Sequence, residues 1–272
     1  MQVQHEQSHE RSNEEIIEAL QRQVNELKTA NLALQEQLER REQFNAMVAH
    51  ELRGPLTPII NYAELLLRPD LKPEATQKRA RIIISQARRL ERLVNDLHDA
   101  SRLSSGQFTL NRTPCDIAAL AREVVEQLSP LAPYHKFSIE TPATTVTGNW
   151  DCGRLQQVLG NLLDNAIKYS DEGSTITVRI TICGQSVEPE EGQETKKVAR
   201  VSVHNQGIAI PPAEIGQLFR PYGRLQSSAG HQGSGLGLYI AKCIVDTHGG
   251  TLQLEPPGPE TSGTTFSFDL PM

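Results

Sequence analysis

Ile17, Leu20, Val24, Leu27, Asn31, Leu34 and Leu38 recur at intervals that alternate between three and four. That spacing is a heptad with its a and d seats filled, and it commits this stretch to a helix with one narrow apolar seam. Ile17 and Val24 are β-branched at a, and Leu20, Leu27 and Leu34 sit at d. This choice favours two parallel strands, and the polar Asn31 at an a seat fixes their register. A lone helix packed on its own domain would need a wider stripe, whereas the flanking positions are nearly all Gln, Glu, Arg and Lys. The seam therefore asks for a second copy of the chain.

Downstream, the helical pattern continues through Phe44, Val48, Leu52 and Ile59 to Leu67, and RPDLKP, with Pro69 and Pro73, breaks it. Gly54 and Pro55 lower helix propensity and predict a bend there. A second long helix is predicted from about Glu74 to Leu103, with apolar seats at Ile83, Ile84, Ala87, Leu90, Val94, Leu97 and Ala100. Two helices with one stripe each bury little alone, so a coil that pairs two chains makes a four-helix bundle from two hairpins. Past SSGQ, at 104–107, the pattern becomes mixed. Short β-rich runs fall at 108–110, 137–140, 175–182, 198–203, 251–254 and 264–270, with helical stretches at about 116–128, 152–169 and 235–248. Strands and helices intermixed in this way imply one α+β domain, a sheet covered by helices. The polar insert at 184–197 reads as a hairpin tip. The expected organisation is a disordered N-terminus (1–12), a coiled coil (13–44), a helical hairpin (45–104) and an α/β sandwich (105–272).

With 27 Lys and Arg against 33 Asp and Glu, the net charge is −6, which argues against a nucleic-acid binder working through bulk positive charge. No apolar run approaches the roughly 20 residues a membrane-spanning helix needs, and the N-terminus has no secretory pattern. Cys115, Cys152, Cys183 and Cys243 lie far apart without metal-ligand spacing. They read as reduced thiols of a cytoplasmic protein.

Four segments carry chemistry. HELRGPL places His50 beside Glu51 on the first hairpin helix. A neutral imidazole is nucleophilic near pH 7, and a carboxylate that accepts its ring proton strengthens the other nitrogen. By itself such a pair is an ordinary solvated one. In NLLDNAIKYS, Asn161 and Asn165 are one helical turn apart with Lys168 behind, so two carboxamides and an ammonium share a face suited to a metal-bound triphosphate. Leu162, Leu163, Ala166 and Ile167 make the opposite, apolar face. VHNQGIAIPP leaves a strand into a turn. In HQGSGLGLYIAK, Gly233, Gly235, Leu236 and Gly237 lead into a helix, where glycines admit close backbone approach and helix amides attract phosphate. The stretch 220–230 between them reads as a lid.

HELRGPL, NLLDNAIKYS, VHNQGIAIP, LFRPYGR and GSGLGL together resemble, in order and spacing, the transmitter core of two-component sensor histidine kinases. The resemblance covers about 44–272. It implies a dimeric hairpin bearing the phosphorylated His and an ATP-binding sandwich of the type shared with gyrase and Hsp90. It further implies His50 as phospho-acceptor, Glu51 as general base and Asn165 as Mg²⁺ ligand. Asn161, Lys168 and Tyr169 then line the phosphate side, Arg224 is a lid arginine on the γ-phosphate, and Gly233, Gly235, Leu236 and Gly237 form the glycine box. The implied partners are a second copy, a response regulator receiver domain, and a separate sensor domain or protein acting through the coil. The implied reaction is phosphoryl transfer from ATP to His50 and then to an aspartate of the regulator.

The chain departs from that pattern at the first glycine box, where Asn205, Gly207 and Ala209 stand in place of D-x-G-x-G. An Asn oxygen accepts a hydrogen bond from adenine without charge, which predicts ATP affinity weakened by about 1–2 kcal/mol. The alternative that this departure raises is a pseudokinase scaffold that binds a regulator or another kinase through its helices.

Overall fold

The computed structural model describes residues 2–68, 72–104, 108–184, 197–207, 209–221, 223, 235–256 and 263–272. The chain divides into two compact units, Met1–Leu90 and Glu91–Met272.

In the first unit, α1 (Gln2–Leu66) is a single helix. It includes residues 2–12, expected to be unstructured. Their Gln, Glu and Arg content carries good helix propensity, and the chain continues straight into the heptads. Val24, Leu27, Leu34 and Leu38 stand exposed on the isolated chain, and the side chains of Ile17 and Leu20 lie outside the described residues. The helix also continues through Pro55 and Pro58, each of which removes one i to i−4 hydrogen bond without ending it. Helix α2 (Pro73–Ser104) opens with Pro at its first position, where the missing N–H costs nothing. Arg79 Nη1 donates to the carbonyl of Leu65 (3.0 Å), satisfying an acceptor in the last turn of α1.

The second unit begins within α2. Leu97, Ala100 and Leu103 pack against the core of the sandwich, so the last turns of the helix belong to the unit that follows it. Asp99, only 6 % exposed, accepts from Arg154 Nη1 (2.6 Å) and Gln157 Nε2 (2.9 Å). The Arg154 guanidinium also lies over the Phe108 ring, 4.8 Å from its centroid. Thus 108–110, expected as a strand, serves as a packing segment. The strand in this region is β1 (Thr113–Asp116), which leads into α3 (Ile117–Leu128), capped by Asp116. β1 pairs antiparallel with β3 (Thr147–Trp150). The sequence TGNW carries little strand signal, and its geometry is set by Trp150. That ring is fully buried across Gly148, and its Nε1 donates to the Pro271 carbonyl (2.8 Å).

The main sheet comprises β2 (Lys136–Glu140), β4 (Thr175–Gly184), β5 (Lys197–Asn205), β6 (Thr251–Leu254) and β7 (Thr264–Pro271), in the order β2-β4-β5-β7-β6. β2 runs parallel to β4, and the other neighbours are antiparallel. Alternate residues (Ile176, Val178, Ile180; Val201, Val203; Phe266, Phe268, Leu270) point into the core, as a strand's two-residue period requires. They meet α3, α4 (Cys152–Tyr169) and α5 (Gly237–Thr247), whose Leu155, Leu159, Leu162, Leu163, Ile240 and Ile244 are fully buried. The opposite face is polar, with the bidentate pair Arg200–Asp269 (2.7 and 2.8 Å) and Arg179–Glu140 (2.7 Å) across strands.

The cysteines overturn a further expectation. Cys115 and Cys152 form a disulfide, with Cα atoms 5.7 Å apart, while Cys183 and Cys243 are free. Separated by 37 residues, the pair gives no short-range signal. It is the β1–β3 pairing, Cys115 opposite Gly148, that brings the start of α4 beside β1. The polar insert lies, apart from its two end residues, outside the described residues.

Candidate nucleotide site and phospho-acceptor

His50 is exposed on α1 of the first unit, and the half-buried Glu51 beside it lies 3.8 Å from Arg89 Nη2 of α2. Gly54 has open space where a side chain would stand.

In the second unit, three segments converge on the C-terminal half of α4. This helix starts from Asp151, whose Oδ1 accepts from the Arg154 amide (3.1 Å). Its buried stripe leaves Asn161, Asn165, Lys168 and Tyr169 half-exposed on the other side. Asn161 Nδ2 donates to the Gly237 carbonyl (3.0 Å), tying mid-α4 to the first residue of α5. At Gly237 a Cβ would come into contact with the Asn161 carboxamide at 3.4 Å, and Gly235 takes a left-handed φ of 68° just before it. Leu236 is buried, which anchors the glycine turn on the core. Arg224 and Gly233 lie outside the described residues.

The third segment is the end of β5. Asn205 is 3 % exposed, and its Nδ2 donates to the Tyr169 carbonyl (3.4 Å). That assignment leaves Oδ1 as the acceptor of the carboxamide. Gly207 forms an antiparallel bridge with Ser170, and a Cβ there would fall 2.1 Å from the Tyr169 carbonyl oxygen. The Asp171 amide completes the seam by donating to the Gln206 carbonyl (2.9 Å). Ala209 is exposed.

Lys168 is ion-paired with Asp164 one turn back. On the same side stands Asp96 of α2, held up at about 6 by burial, by the neighbouring Asp99 and by Asp164, against the opposing pull of Arg92 and Lys168. Sequence reading missed this acidic neighbour because nothing local links residues 96 and 164. It also missed His248, which is 1 % exposed. His-Gly-Gly directly after an apolar helix was the available signal, since it marks a left-handed helix end.

Residues 40–106 match the His Kinase A (phospho-acceptor) domain, and residues 151–272 match the family of histidine kinase-, DNA gyrase B- and HSP90-like ATPases. Together they cover more than half the chain. The chain belongs to the histidine kinase family. The adaptive-response sensory kinase SasA of Crocosphaera subtropica is 34 % identical over 88 % of this chain and 61 % of that protein. The chain thus spans about six-tenths of that relative's length. Two solved histidine kinases share the architecture. Full-length ShkA in complex with AMPPNP is 27 % identical, with a TM-score of 0.57, over 83 % of this chain and 44 % of that one. ThkA in complex with the response regulator protein TrrA is 26 % identical, with a TM-score of 0.58, over 87 % of this chain and 63 % of that one.

This kinase core has, among its described residues, no cluster of three or more His, Cys, Asp or Glu side chains suited to a metal ion. A single carboxamide, Asn165, beside an ammonium fits instead an ion held chiefly by substrate phosphates. Among the described residues no helix is long and apolar enough to cross a membrane.

Proposed function

We propose that this chain is an ATP-dependent protein-histidine kinase. It phosphorylates its own His50 and hands the phosphoryl group to an aspartate of a response regulator. The observation that carries this reading is the convergence on α4 of Asn161, Asn165, Lys168, Asn205–Gly207 and Gly235–Gly237, in a chain that also presents an exposed His–Glu pair on a helical hairpin.

In that reaction Glu51 accepts the proton from one ring nitrogen of His50. The lone pair of the other nitrogen forms the N–P bond as the bond from the γ-phosphorus to the bridging oxygen breaks and ADP leaves. Asn205 Oδ1 accepts from the adenine amino group beside Gly207, while Tyr169, with Asn161 and Lys168, lines the phosphate side. The glycine turn before α5 offers backbone amides to the phosphates. Lys168 exchanges Asp164 for phosphate, and Arg224, by the family resemblance, neutralises the γ-phosphate. Asn165, together with the phosphates, would hold Mg²⁺, which would supply further charge neutralisation on the transferring group.

The exposed seam of Val24, Leu27, Leu34 and Leu38 supports a parallel homodimer, with Asn31 fixing the register. The ATPase family match and the AMPPNP complex of ShkA support ATP as donor, and the ThkA–TrrA complex supports a response regulator as acceptor. Incubation with γ-labelled ATP and Mg²⁺ tests the reading. Acid-labile, alkali-stable label is expected on the wild type and absent from His50→Gln. A folded wild type that takes no label at millimolar ATP would sink it.

A further inference from the structure

The two helices that bear the nucleotide residues are tied together at two points, and one tie is an imidazole. His248 follows the last turn of α5. Its Nδ1 lies 2.8 Å from the Ile244 carbonyl, and its Nε2 lies 3.0 Å from the backbone nitrogen of Asp151, the N-cap of α4. A carbonyl only accepts and an amide N–H only donates, so Nδ1 carries the proton and Nε2 the lone pair. The backbone that follows the ring is closely held. Gly249 turns back with a left-handed φ of 80°, and Gly250 is pressed so close to the Asp269 carbonyl that a Cβ would fall 1.9 Å from its oxygen.

The second tie is Asn161 to the Gly237 carbonyl. The two anchor points are ten residues apart on α4 and eleven apart on α5, which at 1.5 Å per residue is about 15 Å and about 16 Å. Two antiparallel helices pinned at both ends of matched spans cannot slide past one another. Sliding is the movement that would change the distance between Asn165 and Lys168 on α4 and the glycine turn at the start of α5. We infer that His248 is a positioning residue for the nucleotide site, one whose neutral imidazole fixes the axial register of α4 against α5. This rests on the kinase reading above and adds a residue that touches neither nucleotide nor His50.

The tie works only in the neutral state, because a second ring proton would face the Asp151 N–H. Burial and the nearby Arg112 guanidinium, which itself donates to the Thr247 carbonyl (3.2 Å), oppose protonation, while the Ile244 carbonyl and Asp151 favour it. With the folded value lowered below the ordinary 6.5, the tie is fully present above that pH and is lost as pH falls through the folded value.

The test measures binding of Mg²⁺-AMPPNP by titration calorimetry to the full chain carrying Asp96→Asn, which removes the acid held up at about 6 near Lys168. His248→Ala, which removes the acceptor, should weaken binding about tenfold at pH 8. His248→Gln, whose carboxamide oxygen accepts without titrating, should recover at least half of that loss on the logarithmic scale. As pH falls from about 7.5 through the lowered folded value of His248, the ratio of His-containing to Gln-containing affinity should fall. Protonation of the nucleotide cancels in that ratio. Amide exchange at Asp151 judges the tie without nucleotide, and Ala should deprotect it while Gln does not. Equal affinity in all three proteins, or a ratio that does not move with pH, overturns the inference. Failure of the parent protein to bind at pH 8 overturns the kinase reading instead, and exchange at Asp151 still decides whether the tie exists.

Discussion

Replacing Asn205 by Asp isolates the contact that separates this pocket from the usual family pattern. In the structure Nδ2 of Asn205 donates to the Tyr169 carbonyl at 3.4 Å, at the long end of the hydrogen-bond range and so worth about 0.5 kcal/mol. In the proposed function the other carboxamide atom is the acceptor for the base. Asp at 205 turns a neutral acceptor into a charged one, and the two kinds of bond differ by about 1–2 kcal/mol. Affinity for ATP should rise by that amount, roughly five- to thirtyfold. The same change puts a carboxylate oxygen against the Tyr169 carbonyl oxygen in a site only 3 % exposed. That penalty is present with and without nucleotide, so it leaves affinity untouched and appears in stability. We expect the nucleotide-free protein to lose about 1–2 kcal/mol, a fall in Tm of several degrees. Calorimetric titration with Mg²⁺-AMPPNP at pH 8, paired with thermal unfolding of the nucleotide-free protein, measures both halves. Asn205→Ala should weaken binding, and neither variant should improve binding of a guanine nucleotide, whose 6-position is an acceptor. A folded Asn205→Asp protein that binds AMPPNP no more tightly refutes the assigned contact. A wild type that prefers the guanine nucleotide refutes the assigned orientation of the carboxamide.

Two further outcomes follow from the second unit. The Cys115–Cys152 disulfide closes a loop of 37 residues, and loop-closure entropy assigns such a cross-link about 4 kcal/mol. Cys152→Ser, or reduction by dithiothreitol, should therefore lower the unfolding free energy by about 2–4 kcal/mol, and an unchanged Tm under reductant would refute the pairing. Asp96, held up at about 6 against 3.8, is an acid with a raised folded value, so ionising it opposes folding. Asp96→Asn should stabilise the protein at pH 8 by up to about 3 kcal/mol, and the gain should vanish below pH 4. Denaturant titrations at the two pH values check this, and a gain independent of pH would contradict it.

The periodic elements were written in the sequence because they are local. The heptads of α1, the amphipathic stripes of α2 and α4, and the alternating residues of β4, β5 and β7 each follow from a repeat of 3.5, 3.6 or 2 residues. Gly235 and Gly237 announced a phosphate-type turn for the same reason: one short segment carries the whole signal. Beyond that, the ordered motifs HELRGPL, NLLDNAIKYS and GSGLGL were enough to identify the family and to nominate His50, Asn161, Asn165 and Lys168. The contacts that join segments distant in the chain were not legible. β3 has weak strand propensity and exists because Trp150 is buried over Gly148 and bonded to Pro271. Cys115 meets Cys152 only through the β1–β3 register. Asp99 becomes part of the sandwich unit through Arg154, 55 residues on, and Asp96 feels Asp164 and Lys168 only because the end of α2 comes beside α4. His248 reaches Asp151 across 97 residues, so its single usable protonation state was decided by tertiary structure. Which residues can act was settled by composition and spacing along the chain; which of them are held, paired or kept neutral was settled by packing, since burial and a partner from elsewhere set the free energy of a polar group.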